Sequence, residues 1–345
     1  MSRPTSPPVR VGIHGFGRMG RLALRAGWAR DDLEFVAVNE PEADAANMAL
    51  LTEFDSVQGR WPHACAGAGD ALTIDGKQLS FARTADPRET RWTELGVDLV
   101  LECSGAHRTT PSLQGHFDAG ARRVVVSAPV KDGPPNIVVG VNHDAFDLSK
   151  EPIVTAASCT TNCLAPVVRV IHDAIGIERG LVTTIHDPTN TQSVHDAPHS
   201  DPRRARAAQL SLIPTSTNSA TAVTLIIPEL AGRLDSIAVR APVLNASITD
   251  CVFQVARDTT VEEVNAALRE AARSEPLRGI LGVEDRPLVS ADYAGDPRSG
   301  IVDTLSTRVT DKRLVKLLVW YDNEWGYANR LVELAAMVAR AGRAS

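Results

Sequence analysis

The chain has 345 residues, of which 43% are hydrophobic and 23% are charged, and its formal net charge is −6. This is the composition of a folded globular protein that is long enough for two domains, and it excludes general disorder. The acidic balance argues against nucleic acid or an anionic membrane surface as the main partner.

The cysteines indicate the compartment. There are five, Cys65, Cys103, Cys159, Cys163 and Cys251, without the spacing of a disulfide framework or of a zinc finger. Such an odd set is typical of a reducing compartment, and no structural metal is expected. The N-terminal segment lacks the apolar core of a signal peptide, and no apolar run is long enough to cross a bilayer. The sequence therefore predicts a cytoplasmic protein that binds neither membrane nor nucleic acid.

The first elements predict a Rossmann dinucleotide-binding domain. A strand pattern, Val9–His14, leads directly into a glycine turn, an amphipathic helix follows, and the next strand, Glu34–Asn39, ends beside an acid. The glycines let a pyrophosphate approach backbone N–H groups, and the acid accepts hydrogen bonds from the adenosine ribose. The cofactor-binding residues predicted here are Gly15, Phe16, Gly17, Arg18, Met19, Gly20 and Glu40.

Glu40 also predicts which dinucleotide is used. A carboxylate accepts from the two ribose hydroxyls of NAD but repels the additional phosphate of NADP. We therefore expect NAD to be preferred over NADP.

Two later strand patterns, Val97–Glu102 and Arg122–Ala128, extend this sheet. In a parallel sheet the cofactor binds at the loops that follow the carboxyl ends of the strands. Ser104, Gly105 and Ser127 are therefore added to the predicted cofactor site.

The segment Ala157–Pro166 (ASCTTNCLAP) follows the apolar strand pattern Ile153–Ala157 and places Cys159 in the first turn of a predicted helix. The positive end of a helix dipole favours thiolate, the nucleophilic form of cysteine. Ser158 and Thr160 can donate hydrogen bonds to an anion at the same place. One short segment thus predicts a nucleophile and part of an anion site.

A second chemical group follows the strand pattern Leu181–His186, which delivers His186 27 residues after Cys159. A thiol nucleophile needs a base that is near in space, and an ion pair with imidazolium lowers the pKa of a cysteine below its usual value of about 8.5. A small buried core cysteine and a structural histidine are the alternatives on position alone, so the residues by themselves offer Cys159 and His186 as a candidate catalytic pair that the surrounding motifs must decide.

Polar residues downstream suit a phosphate ester. Thr189 and Thr191 alternate after His186, and Arg240 lies in the strand pattern Ile237–Val243. Two hydroxyls and a guanidinium form a suitable phosphate cradle.

Four segments together resemble the phosphorylating glyceraldehyde-3-phosphate dehydrogenase family: the glycine turn, Ala157–Pro166, Thr183–Gln192 and Trp320–Arg330. The resemblance runs from about Val9 to Ala339. It implies an α/β fold in which a Rossmann domain, residues 1–158, is completed by a C-terminal helix, 323–345. An α+β catalytic domain with a mixed or antiparallel sheet would then occupy residues 159–322.

The resemblance also implies an activity: oxidation of glyceraldehyde 3-phosphate to 1,3-bisphosphoglycerate, with NAD and inorganic phosphate, through a thiohemiacetal and a thioester on Cys159. Asn323 would bind the nicotinamide carboxamide. Thr189, Thr191 and Arg240 would hold the phosphate of the substrate, and Ser158, Thr160 and Thr217 would hold the attacking phosphate. A homotetramer is implied as well, with Arg203–Arg206 at a subunit contact.

Some positions depart from the family pattern. His14 stands where asparagine is usual, Glu40 where aspartate is usual, and Ala85 where an arginine near the adenine is common. Asn218 replaces the glycine that usually follows Thr217, so a side chain is expected at the inorganic-phosphate site.

Other functions are also compatible with parts of the sequence. Several local segments, including His186–Gln192, resemble a branch found in bacterial arsenic-resistance operons, which uses arsenate and makes 1-arseno-3-phosphoglycerate. Erythrose-4-phosphate dehydrogenase shares the fold and the cysteine. Semialdehyde dehydrogenases lack the cysteine segment. A noncatalytic nucleotide-binding regulator would have lost Cys159 or His186, and both are present.

Overall fold

The computed structural model describes residues 7–130, 132–189 and 192–344. The chain divides into two compact units. Unit 1 extends to Ile137 and adds His143–Ala157 and the chain from Ala328 onward, whereas unit 2 consists of Val138–Asn142 and Ser158–Tyr327. None of the helices in the described ranges has the length and apolar character needed to span a bilayer.

Unit 1 contains a doubly wound α/β sheet. Its elements are β1 (Val9–His14), α1 (Arg18–Gly27), β2 (Leu33–Asn39), α2 (Ala45–Glu53), β3 (Cys65–Ala68), β4 (Ala71–Ile74), β5 (Lys77–Ala82), β6 (Leu99–Glu102), α3 (Thr110–Asp118), β7 (Arg123–Val126) and β8 (Ile153–Thr155).

The described strands of unit 1 pair in the order β3-β4-β5-β2-β1-β6-β7-β8. From β5 to β8 every pairing is parallel, whereas β3 and β4 add an antiparallel edge. The parallel part has the strand order of a Rossmann sheet. All residues of β6 and of β8 are buried, as expected for strands covered on both faces.

Unit 2 contains a mixed sheet. Its elements are α4 (Cys159–Ile175), β9 (Ile177–His186), β10 (Ile213–Ser216), α5 (Ser219–Ile226), β11 (Leu234–Arg240), β12 (Ser247–Val255), α6 (Val261–Arg273), β13 (Leu281–Glu284), β14 (Gly300–Thr310) and β15 (Leu314–Tyr321). The last helix, α7 (Trp325–Ala344), begins in this unit and belongs to unit 1 from Ala328.

In the described part of unit 2 the strand order is β10-β11-β9-β12-β15-β14-β13. Pairings β11–β9 and β13–β14 are parallel, and the other pairings are antiparallel. The predicted fold class, a Rossmann domain with a mixed-sheet catalytic domain, is confirmed. The predicted strand Ile237–Val243 differs in its bounds, because β11 begins at Leu234 and ends at Arg240.

The side chains of β9 alternate between the two faces of the sheet. Val182, Thr184 and His186 are buried, whereas Leu181 and Ile185 are exposed. Since successive residues of a strand point to opposite faces, His186 lies on the buried face. The same face of the sheet contacts α4, whose buried residues include Leu164 and Val168.

We predict that two glycines of the first turn respond differently to alanine. Gly15 has a φ of +84°, and an added Cβ would lie 2.3 Å from the backbone nitrogen of Ser104. Gly17 has a φ of −70°, and no atom lies within 4 Å of its added Cβ. Gly15→Ala should therefore lose about 3 kcal/mol or more of stability, and Gly17→Ala about 1 kcal/mol or less. Thermal and urea denaturation would measure both, and equal losses would contradict the prediction.

Candidate active site

The predicted nucleophile lies where the sequence places it. Cys159 is the first residue of α4, and Ser158 is its N-cap, with a side-chain oxygen that accepts from the backbone N–H of Thr161 at 3.1 Å. The first N–H groups of a helix have no preceding carbonyl within the helix, so they face a group bound at this end. The thiol is partly exposed. Ala157, immediately before the cap, has a φ of +54°, an uncommon conformation for a residue with a side chain.

The predicted base faces the thiol. The Nε2 atom of His186 lies 3.7 Å from Sγ of Cys159. The imidazole is buried, with 5% of its surface exposed. The structure therefore brings the predicted catalytic pair together within hydrogen-bond reach.

The other imidazole nitrogen has an acceptor and a donor beside it. The Nδ1 atom of His186 lies 2.6 Å from Oδ1 of Asp187 and 2.8 Å from the backbone oxygen of Asp187. Nη1 of Arg240 lies 2.7 Å from the same Nδ1 and donates to that backbone oxygen at 2.8 Å. Because a guanidinium can only donate, it suits an unprotonated Nδ1, whereas the carboxylate suits a protonated one.

The carboxylate determines the protonation state. Burial lowers the pKa of His186, but the hydrogen bond to Asp187 and the contact with Cys159 outweigh burial and raise the pKa from 6.5 to about 9. The charge of Arg240 opposes this rise. At neutral pH His186 is therefore an imidazolium whose Nε2 proton points at the thiol.

A tyrosine lies behind the thiol. The Thr160 hydroxyl is 3.0 Å from the Tyr321 hydroxyl and 3.9 Å from Sγ of Cys159. Burial, followed by the charge of Cys159, raises the pKa of Tyr321 well above its usual value, so the phenol stays neutral. Cys163, one turn farther along α4, is buried with its sulfur 3.9 Å from the Thr249 hydroxyl.

Some of the predicted anion-binding residues have hydrogen-bond partners within the protein. The Thr189 hydroxyl donates to Oε1 of Gln192 at 3.3 Å, and Thr191 lies outside the described residues. Arg240 is part-buried against His186, and its Nε is buried without a hydrogen-bond partner among the described residues. Thr217 and Asn218 follow β10, two positions from β9 in the sheet.

Asn218 is the N-cap residue of α5, and its side chain makes no capping bond among the described residues. The Thr217 hydroxyl lies 2.7 Å from the Ser219 hydroxyl. The Asn218 side chain thus leaves the N–H groups at the start of α5 to other acceptors, the hydroxyls of Thr217 and Ser236.

The amide of Asn323 is held inside unit 2. Its Nδ2 donates to Oδ2 of Asp187 at 3.1 Å, and its Oδ1 accepts from the Ser247 hydroxyl at 3.0 Å. Asn323 thereby shares the carboxylate that also contacts His186.

In unit 1 the glycine turn connects β1 to α1. Gly15 donates its N–H to the Asn39 carbonyl at 2.9 Å, and Phe16 is buried. Gly20 packs closely, since an added Cβ would lie 2.3 Å from the Gly15 carbonyl oxygen. Gly17 begins the helix, with open space around it. Arg18 pairs with Asp55, and Met19 is part-exposed.

Glu40 and Ser104 have partners that the sequence does not predict. Oε2 of Glu40 accepts the backbone N–H of Phe16 at 2.9 Å, so the carboxylate supports the turn itself. Ser104 donates both its N–H and its hydroxyl to Oε1 of Glu102, at 2.7 Å and 2.5 Å. Gly105 has a φ of +70°, and Ser127 donates its N–H to the Glu102 carbonyl at 2.9 Å.

A buried cluster of His14, Glu102 and His116 lies beneath these loops, with one ligand-type atom of each within 4.8 Å of the others. Nδ1 of His116 accepts from Nε1 of Trp92 at 3.3 Å, and Nε2 is 3.0 Å from Glu102. Nδ1 of His14 accepts from Nδ2 of Asn39 at 3.2 Å. Each imidazole therefore carries its proton on Nε2, the nitrogen that a metal would need unprotonated.

The comparisons with known proteins agree with this geometry. Residues 9–110 match the NAD binding domain of glyceraldehyde 3-phosphate dehydrogenase, and residues 158–323 match its C-terminal domain. The chain belongs to the glyceraldehyde-3-phosphate dehydrogenase family. As a member it is an NAD-dependent dehydrogenase whose cofactor is NAD, and these predictions are confirmed.

Relatives match over nearly the whole chain. Glyceraldehyde-3-phosphate dehydrogenase 3 of Nostoc sp. is 60% identical over 96% of this chain and 98% of its own length. The glyceraldehyde-3-phosphate dehydrogenase of Pseudomonas aeruginosa is 48% identical over 96% of this chain and 99% of its own length. The glyceraldehyde-3-phosphate dehydrogenase of Geobacillus stearothermophilus is 47% identical over 97% of this chain and 99% of its own length.

Sequence reasoning missed three residues of this site: Asp187, Ser247 and Tyr321. Asp187 stands within the motif whose histidine and threonines were predicted as site residues. Its position directly after a predicted catalytic histidine was an available signal. Ser247 carried none, because its contact with Asp187 spans 60 residues.

Proposed function

We propose that the chain oxidises glyceraldehyde 3-phosphate to 1,3-bisphosphoglycerate, with Cys159 as nucleophile and His186 as acid and base. The observation that carries the proposal is the contact of Sγ with Nε2 at 3.7 Å, at the start of α4. An imidazolium beside a cysteine favours the thiolate, which is the nucleophilic form.

In the first step the Cys159 thiolate forms a bond to the aldehyde carbon. The carbonyl π electrons move to oxygen, which takes the Nε2 proton of His186 and gives a thiohemiacetal. Neutral His186 then takes that proton back as the carbonyl re-forms. NAD, whose nicotinamide Asn323 would hold, would accept the hydride that leaves this carbon, so that a thioester would remain on Cys159.

In the second step an oxygen of inorganic phosphate attacks the thioester carbon. The carbon–sulfur bond breaks, the acyl phosphate leaves, and the Cys159 thiolate is restored beside the imidazolium. The thioester keeps the energy of oxidation that hydrolysis would lose, so the site must favour phosphate over water.

Two groups of residues are assigned to the two phosphates. Ser158, Thr160 and Thr217 hold the attacking anion, with Asn218 beside them. Thr189, Thr191 and Arg240 hold the phosphate of the substrate. The buried Nε of Arg240, which has no partner among the described residues, supports an anion at this side chain.

The cofactor assignment follows the fit of unit 1. The open space at Gly17 and its place at the N-terminus of α1 suit a pyrophosphate. The assigned residues are Gly15, Phe16, Gly17, Arg18, Met19, Gly20, Glu40, Ser104, Gly105, Ser127 and, for the nicotinamide, Asn323. Residues 1–158 with 323–345 form the proposed cofactor domain, and 159–322 form the catalytic domain.

We place the enzyme in the cytoplasm, which agrees with its free cysteines.

Cys159→Ser should abolish NADH formation from glyceraldehyde 3-phosphate while the melting temperature and NAD binding are retained, because only the nucleophile is lost. The wild type should show saturable turnover that depends on the anion, with phosphate and arsenate titrated separately. Substantial turnover by the variant would exclude Cys159 as nucleophile, and tighter use of arsenate would favour the arsenic-resistance branch.

The kcat/KM for NAD should exceed that for NADP, because the Glu40 carboxylate at the end of β2 repels a ribose phosphate.

Gly17→Ala should raise the KM for NAD by about tenfold or more, since a methyl group would occupy the open space at the turn. Steady-state kinetics with each dinucleotide measure both, and equal use of NADP would refute the role of Glu40.

We also propose a homotetramer. Leu181 and Ile185 of β9, with Ile237 and Leu305, expose apolar surface on the sheet of unit 2, which supports a subunit contact there. Two arginines of the basic cluster pair with acids of the same chain: Arg204 with Asp201 at 3.6 Å and Arg206 with Asp196 at 2.9 Å. Light scattering should give four times the 36.9 kDa chain mass, and a monomeric mass would overturn the proposal.

A further inference from the structure

The carboxylate of Asp187 is buried in a place where a charge requires partners. Its residue exposes 3% of its surface. One oxygen, Oδ1, lies 2.6 Å from Nδ1 of His186, and the other, Oδ2, accepts from Asn323 at 3.1 Å. A buried carboxylate is stable only when such partners satisfy it. Its charge is therefore directed at the imidazole.

The carboxylate is itself held from a neighbouring strand. The backbone N–H of Asp187 donates to the Ser247 hydroxyl at 3.3 Å, and that hydroxyl is also 3.3 Å from Oδ1. Ser247 is the first residue of β12 and is buried. These contacts fix the carboxylate on the side of the ring opposite to Cys159.

The charged and titratable groups that face the ring come from four elements. Cys159 belongs to α4, Arg240 to β11 and Tyr321 to β15, while Asp187 follows β9. Tyr321 is neutral, and its ring centre lies 6.0 Å from that of His186. Asp187 thus supplies the carboxylate of this group, and its charge opposes the positive charge of Arg240 at the ring.

We propose that Asp187 is a positioning residue for the catalytic pair: its carboxylate accepts a hydrogen bond from Nδ1–H of His186 and thereby holds a protonated Nε2 toward the Cys159 thiol. The site is then a Cys–His–Asp arrangement, with Ser247 and Asn323 as supports of the carboxylate. This inference rests on the proposed roles of Cys159 and His186.

The test compares Cys159 alkylation by two probes, anionic iodoacetate and neutral iodoacetamide, across about pH 5 to 10, with the Cys159 peptide followed by mass spectrometry. The ratio of the iodoacetate rate to the iodoacetamide rate rises with positive charge beside the Cys159 sulfur, because only iodoacetate is an anion. This ratio does not depend on substrate. In the wild type the ratio should fall with a midpoint at about pH 9, where His186 loses its proton. In Asp187→Asn, which keeps the shape but removes the charge, the midpoint should move down by about one pH unit or more, a tenfold change in proton affinity per unit.

Asp173→Asn is the matched control, because it removes an exposed carboxylate at the far end of α4. Its profile should superimpose on that of the wild type. Asp187→Ser replaces Asp187→Asn if the latter does not fold, as judged by circular dichroism. An unshifted midpoint in a folded Asp187 variant overturns the proposal, and so does a wild-type ratio without a midpoint near pH 9.

The outcomes separate the two proposals. If Cys159→Ser retains turnover but the probe ratio behaves as expected, the catalytic assignment fails and the role of Asp187 at His186 stands. If Cys159→Ser is inactive and the ratio is unmoved in Asp187→Asn, the catalytic assignment stands and the positioning role fails.

Discussion

The chemistry of this site depends on whether Nδ1 of His186 carries a proton. A ring nitrogen that faces a carboxylate at 2.6 Å and a guanidinium at 2.7 Å cannot satisfy both, since one requires a donor and the other an acceptor. Arg240 already donates to the backbone carbonyl of Asp187, so its donor is satisfied without the ring. Among the described residues the carboxylate of Asp187 forms an ion pair with the imidazole of His186 and none with Arg240, which contacts its backbone oxygen instead. Protonation of Nδ1 therefore costs less than leaving the carboxylate facing a lone pair.

The sheet of unit 2 assembles this cluster by register. Arg240 pairs with His186 across β11 and β9, and Ser247 pairs with Tyr321 across β12 and β15. Because β12 runs antiparallel to both of its neighbours, its first residue lies beside the last residues of theirs. Four strands thus deliver polar side chains to one end of the sheet. A slip of one residue in β9 would turn His186 to the exposed face and separate it from α4.

Sequence reasoning succeeded where the signal is local. The strand–turn–helix of the first domain and the placement of Cys159 at a helix start both follow from residues within a few positions of each other. The alternation in Leu181–His186 likewise predicts a strand with one buried face. The support of Asp187 by Ser247 could not be predicted in this way, because it depends on the pairing of strands that are distant in sequence. Glu40 is an intermediate case: its position was predicted from the motif, but its bond to the Phe16 N–H depends on how tightly the turn folds.

Two buried histidines of this chain show why residue type alone does not determine chemistry. His14 and His186 are both almost inaccessible to solvent. Burial lowers the pKa of His14 to about 4 against the opposing charge of Glu102, and its Nδ1 accepts from the amide of Asn39. That amide cannot reverse its role, since Oδ1 of Asn39 already accepts the Thr84 N–H at 2.9 Å. The neutral His14 ring is consequently held in one tautomer by a donor at Nδ1, whereas the carboxylate acceptor of Asp187 favours the cationic form of His186. The same side chain is thus neutral in one unit and cationic in the other: burial outweighs the charge of Glu102 at His14, whereas Asp187 and Cys159 outweigh burial at His186.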